Sequence, residues 1–390
     1  MDLFDKFDPV VETRDTLQAE NADPTDVIID VLSATEGMIA GRKCILAGTN
    51  NYLGLTFDET CIDAGVDALR SQGTGTTGSR MANGSFEGHL ALERELADFY
   101  RMPHAMVFST GYAANLGILA AVLEAGDVAL LDADAHASLY DGCKLSGADV
   151  YRFKHNDVDS LSARLRRLAD RSKRTLIITE GLYSILGDRA PLAAIIELKK
   201  QYGAYLLVDE AHSMGVFGPS GRGVAEEAGV EADIDFLVGT FSKSLGATGG
   251  FCVSPHDVLQ LFRYASRPYI FTASPSPSVV ATTRAALRAL IAKPELRETL
   301  WANANRLYNN LSQLGLNVGP QASPVVAVQF EAREQAVAAW HQLLECCVYT
   351  NLILPPASPD GTALIRCSIS AAHSTDQIET IISAFRRVAR

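Results

Sequence analysis

The chain has 390 residues, 47% of them hydrophobic and 21% charged, enough apolar material for a large buried core and far from the composition of a disordered protein. A formal net charge of -12 excludes a general nucleic-acid binder, because phosphate recognition needs clustered positive charge. No apolar run approaches the ~20 residues that cross a bilayer, and the acidic start MDLFDKFD is unlike the basic start of a signal peptide, so a cytoplasmic protein with no integral membrane segment is expected.

Residues 1 to about 40 read as an amphipathic arm, followed by the strand-like RKCILAG and the polar turn TNNYLGL. SQGTGTTGSRMANG (71–84) holds several glycines among Ser, Thr and Asn, which demands an irregular loop, and ordered loops of that length tend to be functional. From about 90 to 250, short apolar strands alternate with helices. AMVFST, VALLDAD, TLIITEG, AYLLVDEA, DFLVGT and GGFCVS are the strands; ALERELADFY, GILAAVLEAG, SLSARLRRLAD and LAAIIELKKQYG are helical. The basic run RLRR within the third of these helices is a solvated face. Near-continuous apolar strands imply burial on both faces, hence a mainly parallel sheet clothed by helices.

A long helical stretch over 277–315, broken near KPE, then PVVAVQF, a helix around QAVAAWHQLLE, a strand near VYTNLIL, a PPASPDG loop, the strand TALIRCSIS and a last helix form a smaller α+β module. The expected division is an N-terminal segment 1–60, a large domain 61–275 and a small domain 276–390. The seven cysteines, 44, 61, 143, 252, 346, 347 and 367, are odd in number and lack metal-ligand spacing, so buried free thiols are expected and no metal site.

In a parallel α/β sheet, ligands bind at the carboxyl ends of the strands. VFST runs into GYAANLG, a helix start that suits an anion, with Gly111 permitting close approach. LLDAD runs into His136; LIITE into Glu180, Ser184 and Asp188; LLVDE ends in Asp209, Glu210 and His212. DFLVGT runs into FSKS and places Lys243 at the next strand end. An acid at a buried strand end is costly without a cation, so a structural Asp209–Lys243 salt bridge is one reading. Pyridoxal phosphate explains more: it needs a lysine to carry it as a Schiff base, a carboxylate for the pyridine nitrogen, a helix start and hydroxyls for the phosphate, and a flat side chain over the ring. Lys243, Asp209, Gly111 with Tyr112, Thr240 with Ser242, and His136 fill those parts.

TNNYLG, GTGTTGSRMANG, FSTGYAANLG, DADAHASLYDG, EGLYSILGD, VDEAHSMGVFGPSGRG, GTFSKS, RPYIFTAS and LIRCSIS, in that order, resemble the α-oxoamine synthase family of fold-type I pyridoxal phosphate enzymes. The resemblance spans all but the first 40 residues. It implies an α/β fold with a large cofactor-binding domain and a smaller α+β C-terminal domain, and a cofactor site that includes Ser184. It also implies that His212 bonds the cofactor's phenolic oxygen and that Thr272 reaches the phosphate of the partner subunit in a homodimer. Asn51, His136 and Arg366 would contact substrate, Arg366 clamping its carboxylate.

Ser242, Lys243 and Ser244 match the SKS of sphingolipid-type members, which implies L-serine and a long-chain acyl-CoA or acyl-carrier-protein thioester as substrates; glycine- and alanine-using members are the alternative. Leu354 stands where some sphingolipid-type members carry an arginine. An aminotransferase, an aldolase acting on β-hydroxy amino acids, and a non-catalytic partner subunit are the readings from other classes; Lys243 speaks against the last.

Overall fold

The computed structural model describes residues 2–355, 357–358 and 361–389. Its centre is a seven-stranded sheet of His104–Phe108 (β1), Val128–Asp132 (β2), Asp149–Phe153 (β3), Thr175–Glu180 (β4), Tyr205–Asp209 (β5), Phe236–Thr240 (β6) and Gly250–Ser254 (β7), in the order β1-β7-β6-β5-β4-β2-β3. β7 runs antiparallel to both neighbours and the other pairings are parallel. The pleat sends alternate residues to opposite faces, and each face has its own core. Val107, Leu130, Ile177, Leu206 and Phe251 pack on one side; Met106, Leu131, Ile178, Leu207 and Cys252 pack on the other. The continuous apolar runs of the sequence follow from this double burial.

Register brings the chemistry together. Glu180 pairs with Asp209, Asp209 with Val238, and Thr240 with Gly250, so the carboxyl ends of β4, β5 and β6 form one ledge. Helices Gly111–Val122 and Ala137–Ser146 begin at the same edge.

The N-terminal arm holds a helix, Asp8–Ala19, with no buried residue. Glu36–Ile39 and Arg42–Leu46 then form a hairpin whose two-residue turn, Ala40–Gly41, has φ of 48° and 76°, the left-handed pair that matches strand twist. Val348–Tyr349 adds to Arg42–Leu46 in parallel, stitching the start of the chain to its end. A third sheet, ordered Asn317–Val318, Val325–Phe330, Ala363–Ser368, Asn351–Ile353, is antiparallel throughout.

The expected boundary at 60/61 falls inside the helix Glu59–Gln72, and the helix Pro277–Ala292 lies against it, with Thr282 Oγ1 donating to the Cys61 carbonyl at 3.3 Å. One cluster of buried hydrophobic side chains includes residues from Ala22 to Phe385, on both sides of positions 60 and 275. The long helical stretch does break at Lys293–Pro294, into Pro277–Ala292 and Glu295–Gln313. All seven cysteines are free: five are buried, Cys346 and Cys347 half-buried. No helix of the described residues is long and apolar enough to cross a membrane.

Candidate active site

The ledge formed by β4, β5 and β6 opens into a cavity of about 270 Å³ lined by Gly111, Tyr112, His136, Asp209, Thr240 and Lys243, among others. Thr110 caps the helix Gly111–Val122, its Oγ1 accepting from the Ala113 N–H at 3.0 Å. That leaves the first helical N–H groups at the cavity, where a dianion gains from them and from the helix dipole. Thr240 Oγ1 and Ser242 Oγ stand 2.9 Å apart beside it.

Asp209 is buried at the end of β5. Its carboxylate accepts from Asn115 Nδ2 at 2.7 Å and from the Ala211 N–H at 2.9 Å, which fixes its direction. Among the described residues it forms no ion pair with Lys243, so the salt bridge that would have made both residues merely structural is absent. Burial is the largest influence on Lys243 and lowers its pKa; Asp209 and Glu180 oppose that, and the charge of Arg366 adds to it. Glu180 is buried at the end of β4, where burial, reinforced by Asp209, raises its pKa far above the usual carboxyl value.

His136 caps the helix Ala137–Ser146, with Nδ1 2.8 Å from Ser138 Oγ and its own N–H donating to Glu180 Oε1 at 2.6 Å. The ring therefore stays open toward the cavity through Nε2, edge-on to Tyr112, and desolvation lowers its pKa. His212 is buried with Nδ1 2.8 Å from the Tyr52 hydroxyl, and burial, then the charge of Lys243, hold it well below an ordinary histidine.

Arg366 lies buried on Ala363–Ser368 and has no carboxylate partner among the described residues. Its fork donates to Asn50 Oδ1 from both terminal nitrogens at 3.1 Å, to Ser368 Oγ at 2.8 Å and to the Ser184 carbonyl. The Tyr52 hydroxyl touches both Arg366 Nη2, at 3.5 Å, and His212, connecting the guanidinium to the cavity.

Two residues expected in this cavity stand elsewhere. Asn51 turns away, its Nδ2 on Thr56 Oγ1 at 2.7 Å, and the neighbour Asn50 takes the place beside Arg366. Ser184 lines an adjacent cavity with Tyr183, Asp188 and Ser358, and meets Arg366 through its carbonyl. Thr272 sits half-buried just after the short helix Arg267–Ile270, outside this cavity. Leu354 packs against the core; Pro356, Pro359 and Asp360 of the PPASPDG loop lie outside the described residues.

Asn115, Ser138, Tyr52 and Asn50 were missed by sequence reasoning. Asn115 carried a signal: it is a polar residue in the otherwise apolar run AANLGILAAV, one helical turn beyond Gly111.

The residues present suit pyridoxal phosphate. A Cβ on Gly111 would fall 2.9 Å from Thr240 Cβ, so glycine alone leaves the helix start open to a phosphate. Lys243 and Asp209 face one cavity, and among the described residues they form no ion pair with each other and the buried Asn115 Oδ1 has no hydrogen-bond partner.

The fold and this donor set define a fold-type I pyridoxal phosphate-dependent transferase. The chain belongs to the aminotransferase class I and II family, whose description matches residues 42–385. It is 55% identical over 389 residues to the serine palmitoyltransferase of Caulobacter vibrioides, covering 100% of this chain and 96% of that one. Among solved structures it resembles the serine palmitoyltransferase of Sphingomonas wittichii, with TM-score 0.96, 50% identity and coverage of 100% and 98%. The S. paucimobilis serine palmitoyltransferase with bound PLP–myriocin matches at TM-score 0.97 and 48% identity, with the same coverage.

Proposed function

We propose that the chain catalyses the serine palmitoyltransferase reaction: L-serine and a long-chain acyl-CoA give 3-ketodihydrosphingosine, CoA and carbon dioxide, the first step of sphingolipid biosynthesis. The observation that carries this reading is the pair formed by Lys243 and Arg366: among the described residues Lys243 makes no ion pair with Asp209, which lines the same cavity, and Arg366 is a buried cation with no carboxylate of its own.

Bound in the cavity, pyridoxal phosphate supplies a carbonyl for amine exchange and a protonated ring that withdraws electrons from Cα. Gly111, Tyr112, Thr240 and Ser242 would hold its phosphate end, Asp209, aimed by Asn115, would keep the proton on its ring nitrogen, and His212 would bond its phenolic oxygen. Arg366 takes the serine carboxylate in its planar fork. Lys243, depressed in pKa, removes the Cα proton as a neutral amine and later returns one. His136 would cover the ring and offer Nε2 to the carboxylate or the acyl carbonyl.

The site is read as shared across a homodimer, Thr272 serving the partner's phosphate. The free thiols support a cytoplasmic location. Residues 61–275 are read as the cofactor-binding part and 276–390 as the smaller one.

Lys243→Ala is expected to abolish both cofactor absorbance and turnover, and a variant keeping both would sink the assignment. Titrating the pure protein with L-serine, glycine and L-alanine while following that absorbance, then assaying thiol release from palmitoyl-CoA, decides the substrate. Free CoA separates this reaction from that of an aminotransferase or aldolase.

A further inference from the structure

Beside the cavity, between the loops that carry His136 and Ser184, lies a charged cluster that the chemistry above does not use. His155, just beyond β3, has Nδ1 2.8 Å from Asp132 Oδ1 and Nε2 2.7 Å from Asp188 Oδ2. Two carboxylates facing both ring nitrogens require both to be donors, so the ring is an imidazolium. Burial opposes that charge, but Asp132 and Asp188 prevail and lift its pKa to about 10. Asp134 Oδ2 stands 3.9 Å away and the Tyr183 ring meets the imidazole edge-on at 4.4 Å. Asn156, held at φ 53°, repeats the bridge: its N–H donates to Asp132 Oδ2 at 3.0 Å and its Nδ2 to Asp188 Oδ2 at 2.7 Å.

Asp132 roots the loop that carries His136, and Asp188 the loop whose Ser184 meets Arg366. Asp132 closes β2 and bonds the Asp134 N–H at 2.9 Å, setting the turn that presents His136. The Asp188 carbonyl accepts from the Tyr183 N–H at 2.9 Å, closing the loop whose Ser184 carbonyl receives Arg366 Nε.

We propose that His155 is a positioning residue which, by bridging Asp132 and Asp188, sets the spacing between His136 and Arg366 and thereby governs capture of the amino-acid carboxylate. This rests on the reading of Arg366 as the carboxylate clamp. His155 touches neither substrate nor cofactor; it acts through the two loops.

The test uses purified holoenzyme of the parent, His155→Gln and Asp188→Asn, with KM for L-serine, KM for palmitoyl-CoA, kcat, cofactor absorbance and Tm measured on each. His155→Gln reaches only one carboxylate, and is expected to raise the serine KM on the order of tenfold or more while cofactor absorbance and the acyl-CoA KM stay near parental values. Asp188→Asn keeps the shape but drops one charge and is expected to give a smaller rise in the same constant. A fall in Tm with an unchanged serine KM makes His155 a structural tie and overturns the proposal. If His155→Gln fails to fold, Asp188→Asn decides alone by the same criterion. No serine-dependent thiol release from the parent defeats the functional reading instead; whichever amino acid then shifts the cofactor absorbance is used to measure the variants.

Discussion

Among single residues, His155 shows how far environment moves a side chain. Its pKa rises from an ordinary 6.5 to about 10 because Asp132 and Asp188 outweigh burial. The unfolded chain has no such partners, so the folded state binds the proton more tightly. That stabilisation is fully present below about pH 6.5 and is lost as pH rises through about 10. The apoprotein Tm is therefore expected to fall between pH 7 and 10, and His155→Gln to flatten the fall; equal slopes in both proteins would count against the assignment. Lys243 moves the opposite way, burial making it a base nearer neutrality. Neither shift is written in FKHND or FSKS alone, since each depends on partners far away in sequence. Lys243 and Asp209 were legible because strand ends gather chemistry. Asn50 was not, because in TNNYLG two adjacent asparagines differ only in the direction the turn gives them, and it is Asn50 that bonds Arg366 while Asn51 bonds Thr56.

Among elements, the helix Gly111–Val122 carries the proposed phosphate site at its start. Its start approaches Thr240 so closely that a Cβ on Gly111 would sit 2.9 Å from Thr240 Cβ and 3.0 Å from Oγ1. Thr240 is itself tied to the Gly249 carbonyl at 2.9 Å and has little room to yield. Gly111→Ala is expected to cost about 1–3 kcal/mol through overpacking and to weaken cofactor retention, read from a thermal melt and from loss of absorbance on dilution. Unchanged retention would show that the helix start does not hold the phosphate. Strands and helices of the large sheet were legible because double burial leaves uninterrupted apolar runs and capping residues mark their ends. The hairpin Glu36–Ile39 with Arg42–Leu46 was only half visible, since EGMI is short and partly exposed and pairs with a strand the sequence did show.

At the level of the whole molecule, packing joins segments far apart in the chain: Arg42–Leu46 pairs with Val348–Tyr349, and the helix after 276 lies on Glu59–Gln72. Alternation of strands and helices tells which segments are alike; it does not tell which of them pack together. The shared-site reading expects a two-chain mass by sedimentation at micromolar concentration, and a strictly monomeric holoenzyme with full turnover would exclude a role for Thr272 in a partner's site. Arg366 comes from the C-terminal sheet, while Lys243 and His136 stand on the large one, so the unneutralised guanidinium is a positive charge left at a seam. On the proposed reading of Arg366 as the carboxylate clamp, a small monocarboxylate is expected to settle there. Acetate and formate, ordinary buffer salts, are thus expected to behave as competitive inhibitors against the amino acid but not against the acyl donor, and to raise the melting temperature as they bridge the seam. The choice of buffer then becomes part of any measurement of this enzyme's affinity for its amino acid.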